Sequence, residues 1–262
     1  MSSVSPFDTA QDSWRRQIRF VLVGTQHTGN TGSAARALKT MGFSDLWLVA
    51  PSRRPDETAA AMAAGAEDLL QAATIVESLS EALADCSLVI GTTARSRRIG
   101  LTEWTPPQAA EAALGQISAT PTAKVAVVFG RERTGLTNDE LQRCHAGLCI
   151  PANPDYSSLN LASAVQIVAY ELNRSGAESL TAAPAIAQPA THADWEGFFA
   201  QTAEILELID FHKGRSANSA LYKLRRAFLR APMDQREVRM LRGVLHDMQR
   251  ALRIKSDRKS VV

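Results

Sequence analysis

Short, almost uninterrupted apolar runs alternate along the first 152 residues with segments whose apolar positions recur every three or four residues. The runs are IRFVLVG (18–24), DLWLVAP (45–51), TIVES (74–78), SLVIGTT (87–93), KVAVVFG (124–130) and GLCIPA (147–152). Runs that are apolar at nearly every position suit strands covered on both faces, as in a parallel sheet. Between the first two, Ala34, Ala35, Leu38 and Met41 share a helical spacing, with Asn30 as N-cap and Gly42 as the stop. ETAAAMAAGAEDLL (57–70), with its glycine a weak point, and SLSEALADC (78–86) extend the pattern. The alternation predicts an α/β domain with a mostly parallel, six-stranded sheet.

Beyond the last run the period changes. NPDYSSLNLASAVQIVAYELNR (153–174) reads as a turn, a serine cap and a long apolar helix from about Leu159 to Asn173. The low-complexity, proline-containing SGAESLTAAPAIAQPA (175–190) reads as a linker. After it, WEGFFAQTAEILELIDF, NSALYKLRRAFLRA and DQREVRMLRGVLHDMQRALRIK are amphipathic helical patterns that predict a small all-helical module. The expected organisation is a loose polar leader (1–17), an α/β domain (18–174), a linker (175–191) and a helical module (192–262).

Charge changes this picture more than composition does. With 45% hydrophobic and 21% charged residues the chain is ordinary for a soluble globular protein. No apolar run approaches the roughly 18 residues that span a bilayer. The leader lacks the apolar core of a signal peptide. Three cysteines, Cys86, Cys144 and Cys149, without a C-x-x-C spacing indicate neither a disulfide framework nor a zinc site. These features predict a cytoplasmic protein without a resident metal. Residues 1–191 hold 15 Lys+Arg against 18 Asp+Glu, whereas residues 192–262 hold 14 against 9. The helical module is therefore either a solvated basic surface or a polyanion-binding appendage.

Candidate chemistry gathers after three strands, where open α/β sheets bind ligands. GTQHTGNTGSAAR (24–36) spaces Gly24 and Gly29 like a phosphate-binding P-loop, yet Asn30 stands where the lysine belongs, which argues against a nucleotide triphosphatase. A helix N-terminus with an amide and with Arg36 two turns in still suits a phosphate or ribose. VVFGRERTGL (127–136) puts Gly130 at a strand end, followed by Arg131, Glu132 and Arg133 as mixed charges at a rim or as an ion-pair network. IPANPDYSSLNLASA (150–164) offers two serines and an asparagine at a helix entrance. No G-x-S-x-G elbow accompanies the histidines, so a hydrolase triad has little support.

Together these loops resemble the three motifs of the SPOUT methyltransferases, in the branch that methylates ribose 2′-oxygens. Asn30, Gly32 and Arg36 match its N-x-G-x-x-x-R frame, Phe129, Gly130 and Glu132 its F-G-x-E, and Ser158, Leu159 and Asn160 its S-L-N. HTGNTGSAARALKTMGF, GTTARSRR and the basic KLRRAFLRAPMDQREVRMLRGVL resemble the bacterial TrmJ type in particular, which acts on tRNA position 32. The one departure is Thr93, where that type has a serine. The resemblance implies a trefoil-knotted α/β domain, a homodimer and S-adenosylmethionine as cofactor, with no metal. It implies a cofactor site at Thr92, Thr93, Ala94, Gly130, Ile150, Ser157, Ser158 and Leu159. Arg36, Asn30, Ser158, Asn160 and Glu132 are the implied catalytic set. Arg36, Arg95, Arg97, Arg98, Arg225 and Arg226 are expected to meet tRNA. A ribosomal-RNA methyltransferase and a non-catalytic RNA-binding protein on the same fold remain alternatives at this point.

Overall fold

The computed structural model describes residues 10–94, 100–179, 188–211, 217–231 and 233–259. In chain order the first unit holds β1 (Ile18–Val23), α1 (Thr28–Thr40), β2 (Asp45–Val49), α2 (Glu57–Ala63), α3 (Glu67–Ala72), β3 (Thr74–Val76) and α4 (Leu79–Leu83). It continues with β4 (Leu88–Thr92), β5 (Thr102–Trp104), α5 (Pro106–Ala119), β6 (Val125–Phe129), α6 (Asn138–Gln142), β7 (Ala146–Leu148) and α7 (Leu161–Ser179). All pairings in the sheet are parallel, in the order β3-β2-β1-β6-β4-β7-β5. The expected six strands become seven. The addition, β5, is an exposed three-residue edge strand whose residues form no apolar run.

Period-two alternation sends each strand's side chains into two separate cores. Phe20, Leu22, Leu48, Ile90, Val127 and Phe129 pack with α1, α5 and α7 on one face. Val21, Val23, Val49, Val89 and Val128 pack with α4 and α6 on the other. Burying each such side chain contributes about 1.5–3 kcal/mol, which is why strands apolar at every position fold here. At the amino end of β1, Arg19 is 2% exposed. It is held by Asp45 at 3.1 Å, by Asp85 at 2.6 Å and by the Ala82 carbonyl at 2.6 Å, with Trp47 4.0 Å beneath its plane. Burial pushes the neighbouring Cys86 thiol up to about 12, which leaves it inert near neutrality.

Several local expectations shift. Asn30 is not the cap of α1: His27 occupies that position without a side-chain bond, and Asn30 lies in the first turn. The serines do not cap α7. Asn160 does, its Oδ1 accepting from Ala162 N at 2.9 Å and Ser163 N at 3.4 Å. The weak glycine breaks its segment into α2 and α3 through Ala64 and Gly65 at φ 45° and 94°. Residues 10–17 are not a loose leader: they form a 3₁₀ helix whose Trp14 is buried beside Phe43 and α7, where a side chain at Gly176 would strike its ring. α5 lies outside the helical patterns named above; Thr105 and Gln108 form its capping box, and Pro106 opens it.

Gly32 explains itself by packing. A Cβ there would lie 2.0 Å from the Ala59 carbonyl oxygen, so α1 and α2 touch backbone to backbone. Gly32→Ala is expected to cost about 1–3 kcal/mol as overpacking, read as a lower urea midpoint at unchanged slope. An unchanged midpoint would mean that α2 moves aside freely.

The described residues from 188 onward form a second compact unit. It contains α8 (His192–Leu208), α9 (Ala217–Phe228) and α10 (Gln235–Lys259) around Trp195, Phe198, Phe199, Leu229 and Val238. α8 starts at a capping box between Thr191 and Asp194. No helix among the described residues is long and apolar enough to cross a membrane.

Candidate active site

Because the sheet is parallel and β1, β6, β4 and β7 are neighbours, the loops leaving their carboxyl ends lie side by side. Those after β6, β4 and β7 enclose a cleft of about 390 Å³, within the range that holds small ligands. Its lining includes Thr92, Thr93 and Ala94 after β4, Gly130 and Glu132 after β6, and Ile150, Ser157, Ser158 and Leu159 after β7. All eight residues expected at a cofactor thus surround one space. Thr92 Oγ1 donates to the Val128 carbonyl at 3.0 Å, and Thr93 N to the Leu148 carbonyl at 2.9 Å, which pins this wall to both neighbouring strands. The sequence reading missed Arg133, Thr134, Leu148 and Leu161, which also line the cleft. The first two stand inside RERTGL, whose charges fit a rim or an ion-pair network equally well.

Gly130 is required by the fold of its own loop. A Cβ there would meet the Gly135 carbonyl carbon and Leu136 N at 2.1 Å, so the glycine lets its own loop fold back. Arg131 N donates to Gly135 O at 3.3 Å and Gly135 N to Arg131 O at 2.8 Å, closing residues 131–135 into a small ring. Arg131 then reaches Glu140 through paired bonds of 3.0 Å. Glu140 in turn accepts from Thr137 N at 2.7 Å. Arg131 is therefore structural.

Glu132 joins two of the three loops to the third. Its carboxylate accepts from Gln26 N at 3.0 Å and His27 N at 3.2 Å, the open amides ahead of α1. Asn30 Nδ2 donates to the same carboxylate at 3.0 Å, and Asn160 Nδ2 donates to Asn30 Oδ1 at 2.9 Å. Burial works against the Glu132 charge, but the donors of Asn30, its own amide, Gln26 and His27 outweigh it and hold the carboxyl below its usual range. The helix N-terminus adds a favourable field. Ser157 and Ser158 line the cleft, and no hydrogen bond to a described residue uses their hydroxyls.

Arg36 stands apart from this cluster. It is exposed, does not line the cleft and makes no hydrogen bond or ion pair through its guanidinium with a described residue. Six residues along a helix turn it roughly 120° away from Asn30, so the two leave α1 on different faces. Arg95, Arg97 and Arg98 lie outside the described residues. Arg226 is half-buried on α9. Arg225 is 12% exposed, bonded twice to Glu196 at 2.6 and 2.8 Å, and stacked 4.4 Å over Phe199. Its guanidinium holds α8 to α9. Among the described residues, no group of three or more His, Cys, Asp or Glu could hold a metal ion.

Comparison with known proteins agrees with this architecture. Residues 17–170 match the SpoU rRNA Methylase family, and residues 193–257 match the C-terminal domain of the tRNA methyltransferase TrmJ. The chain is 48% identical over 235 residues to the tRNA (cytidine/uridine-2′-O-)-methyltransferase TrmJ of Cronobacter sakazakii, covering 88% of this chain and 95% of that one. The protein of the same name from Klebsiella pneumoniae is 47% identical over 239 residues, with the same two coverages. Among solved structures, TrmJ from Z. mobilis superposes with a TM-score of 0.78 at 33% identity, covering 88% of this chain and 98% of that chain. A probable methylase family protein from Haemophilus influenzae gives 0.60 at 41% identity, covering 92% and 99%. The parallel sheet with its cleft is thus the α/β SPOUT fold, and the chain, matched through both of its units, belongs to the SpoU methylase family and to its TrmJ branch.

Proposed function

We propose that the protein is a cytoplasmic, S-adenosylmethionine-dependent tRNA 2′-O-ribose methyltransferase acting on cytidine or uridine at position 32. The observation that carries this reading is the single cleft lined by residues 92–94, 130, 150 and 157–159, with Glu132, Asn30 and Asn160 hydrogen-bonded in series beside it. The cleft suits S-adenosylmethionine: backbone groups of residues 92–94 for the adenine, Ile150 and Leu159 as an apolar wall, and unused serine hydroxyls for its polar end. Bound there, the cofactor supplies an electrophilic methyl group.

The protein's own work is to bring the ribose 2′-oxygen into line and to dispose of its proton. Ser158 borders the reacting end. Asn30 and Asn160 fix the spacing between the loops after β1 and β7. Arg36 engages the ribose, assisted by an RNA phosphate because a guanidinium is a poor base. Its distance from the cleft lining supports a homodimer in which Arg36 serves the partner's cleft. Exposed Tyr156 and Tyr170 on the same unit supply apolar surface for such an interface. The basic helical unit adds salt-sensitive affinity for tRNA.

The test is methyl transfer from labelled S-adenosylmethionine to unmodified tRNA, mapped by nuclease digestion and mass spectrometry. The expected product is a 2′-O-methyl at position 32. Incorporation into ribosomal RNA with none in tRNA would keep the chemistry and overturn the substrate.

A further inference from the structure

Three consecutive charged residues leave β6, and only two of them have structural employment. Arg131 is spent on Glu140, and Glu132 on Asn30 and the amides of Gln26 and His27. Arg133 is exposed, lines the cleft, and has neither hydrogen bond nor ion pair with a described residue. Its backbone is nevertheless well held. The reciprocal bonds between Arg131 and Gly135 close the ring in which it sits, and Leu136, 1% exposed, anchors the far end in the core. A guanidinium carried on so fixed a base loses less freedom on meeting a ligand than one on an open loop.

The local charge decides what that ligand is. Glu132, one residue away, stays ionised because its carboxyl is held below its usual range. It repels any anion that approaches the cleft mouth. Arg133 supplies the compensating charge at the same mouth. Two anions belong to the reactants of the proposed reaction: the carboxylate of the cofactor's amino-acid end and the phosphates of the RNA. The exposed position of Arg133 favours the second, since the cofactor is enclosed whereas the RNA arrives from solvent.

We propose that Arg133 is a substrate-binding residue whose guanidinium takes an RNA phosphate next to the methylated ribose. This rests on RNA being the substrate. It adds to the site a residue outside the N-x-G-x-x-x-R, F-G-x-E and S-L-N positions.

The experiment compares wild type, Arg133→Gln and Arg133→Lys as full-length protein. Binding of an unmodified tRNA transcript is measured across a salt series, S-adenosylhomocysteine binding by calorimetry, and methylation as KM and kcat. For Arg133→Gln the expected result is an RNA Kd and KM raised about 5- to 10-fold. The slope of log K against log salt should shrink by about 0.7–0.9, one phosphate contact. S-adenosylhomocysteine affinity should be unchanged, and Arg133→Lys should restore most of the slope. A merely structural role would not move the salt slope. An unchanged slope and RNA KM would overturn the inference, as would weakened S-adenosylhomocysteine binding with RNA KM intact, which would give the guanidinium to the cofactor's carboxylate. Wild type that neither binds nor methylates tRNA would instead remove the functional reading on which the inference rests.

Discussion

Arg36→Ala lowers the turnover number for ribose methylation by about 10²- to 10⁴-fold, the range expected for a group that acts on the reacting proton. Thermal melting and S-adenosylhomocysteine binding stay at wild-type values. The side chain is exposed and makes no bond to a described residue, so its loss removes no packing and leaves no buried partner stranded. The same position poses a geometric question, since Arg36 faces roughly 120° away from Asn30 on one helix. Mixing subunits answers it. A hybrid of one Arg36→Ala protomer and one Glu132→Ala protomer contains one complete site if Arg36 works across the interface, and none if it works within its own chain. Activity recovered on mixing two inactive variants supports the first arrangement. No recovery from demonstrated hybrids sinks it, and a fully active Arg36→Ala would remove the residue from the mechanism.

What could be read from the chain follows physical rules that differ between its parts. The buried strands were legible because a strand covered on both faces must be apolar at every position, as Val125–Phe129 is. β5 was not, because Thr102 and Glu103 at an exposed edge need no such pattern. The amino end was not legible from composition, because Trp14 against Gly176 and Arg15 bonded to Asn173 at 2.6 Å hold Ala10–Gln17 to α7. At the site, residue types and order were readable from motifs, but not the causes behind them. Gly32 and Gly130 are demanded by backbone contacts with Ala59 and with Gly135 and Leu136, which no spacing announces. Arg225 shows the converse: a basic residue in a basic segment turned inward because Glu196 and Phe199, some thirty positions earlier, fold beneath it.

Glu132→Ala is expected to lower kcat/KM for RNA methylation by at least about 10²-fold, although the carboxylate takes no proton from the substrate. A base matched to neutral pH has a pKa near the working range, whereas hydrogen bonds hold this one below the ordinary carboxylate value of 4.5. Its work is to gather three donors from the loop after β1, including Asn30, and through Asn30 to set Asn160 on the loop after β7. Without it the loops lose their common anchor, and a displacement of about 1 Å at reacting groups is enough for such a loss. Glu132→Gln keeps the size but replaces one acceptor oxygen with a donor facing other donors, so it should recover only part of the activity. The folded state binds the Glu132 proton more weakly than the unfolded state does. Its contribution to stability is therefore complete above about pH 4.5 and fades as pH falls through the depressed folded value. Between pH 6 and 9 the melting difference between wild type and Glu132→Gln should be flat, and it should narrow only in acid. A wild-type activity limb near neutrality that vanishes in Glu132→Gln would show the carboxylate titrating during turnover, and would replace the anchor with a base.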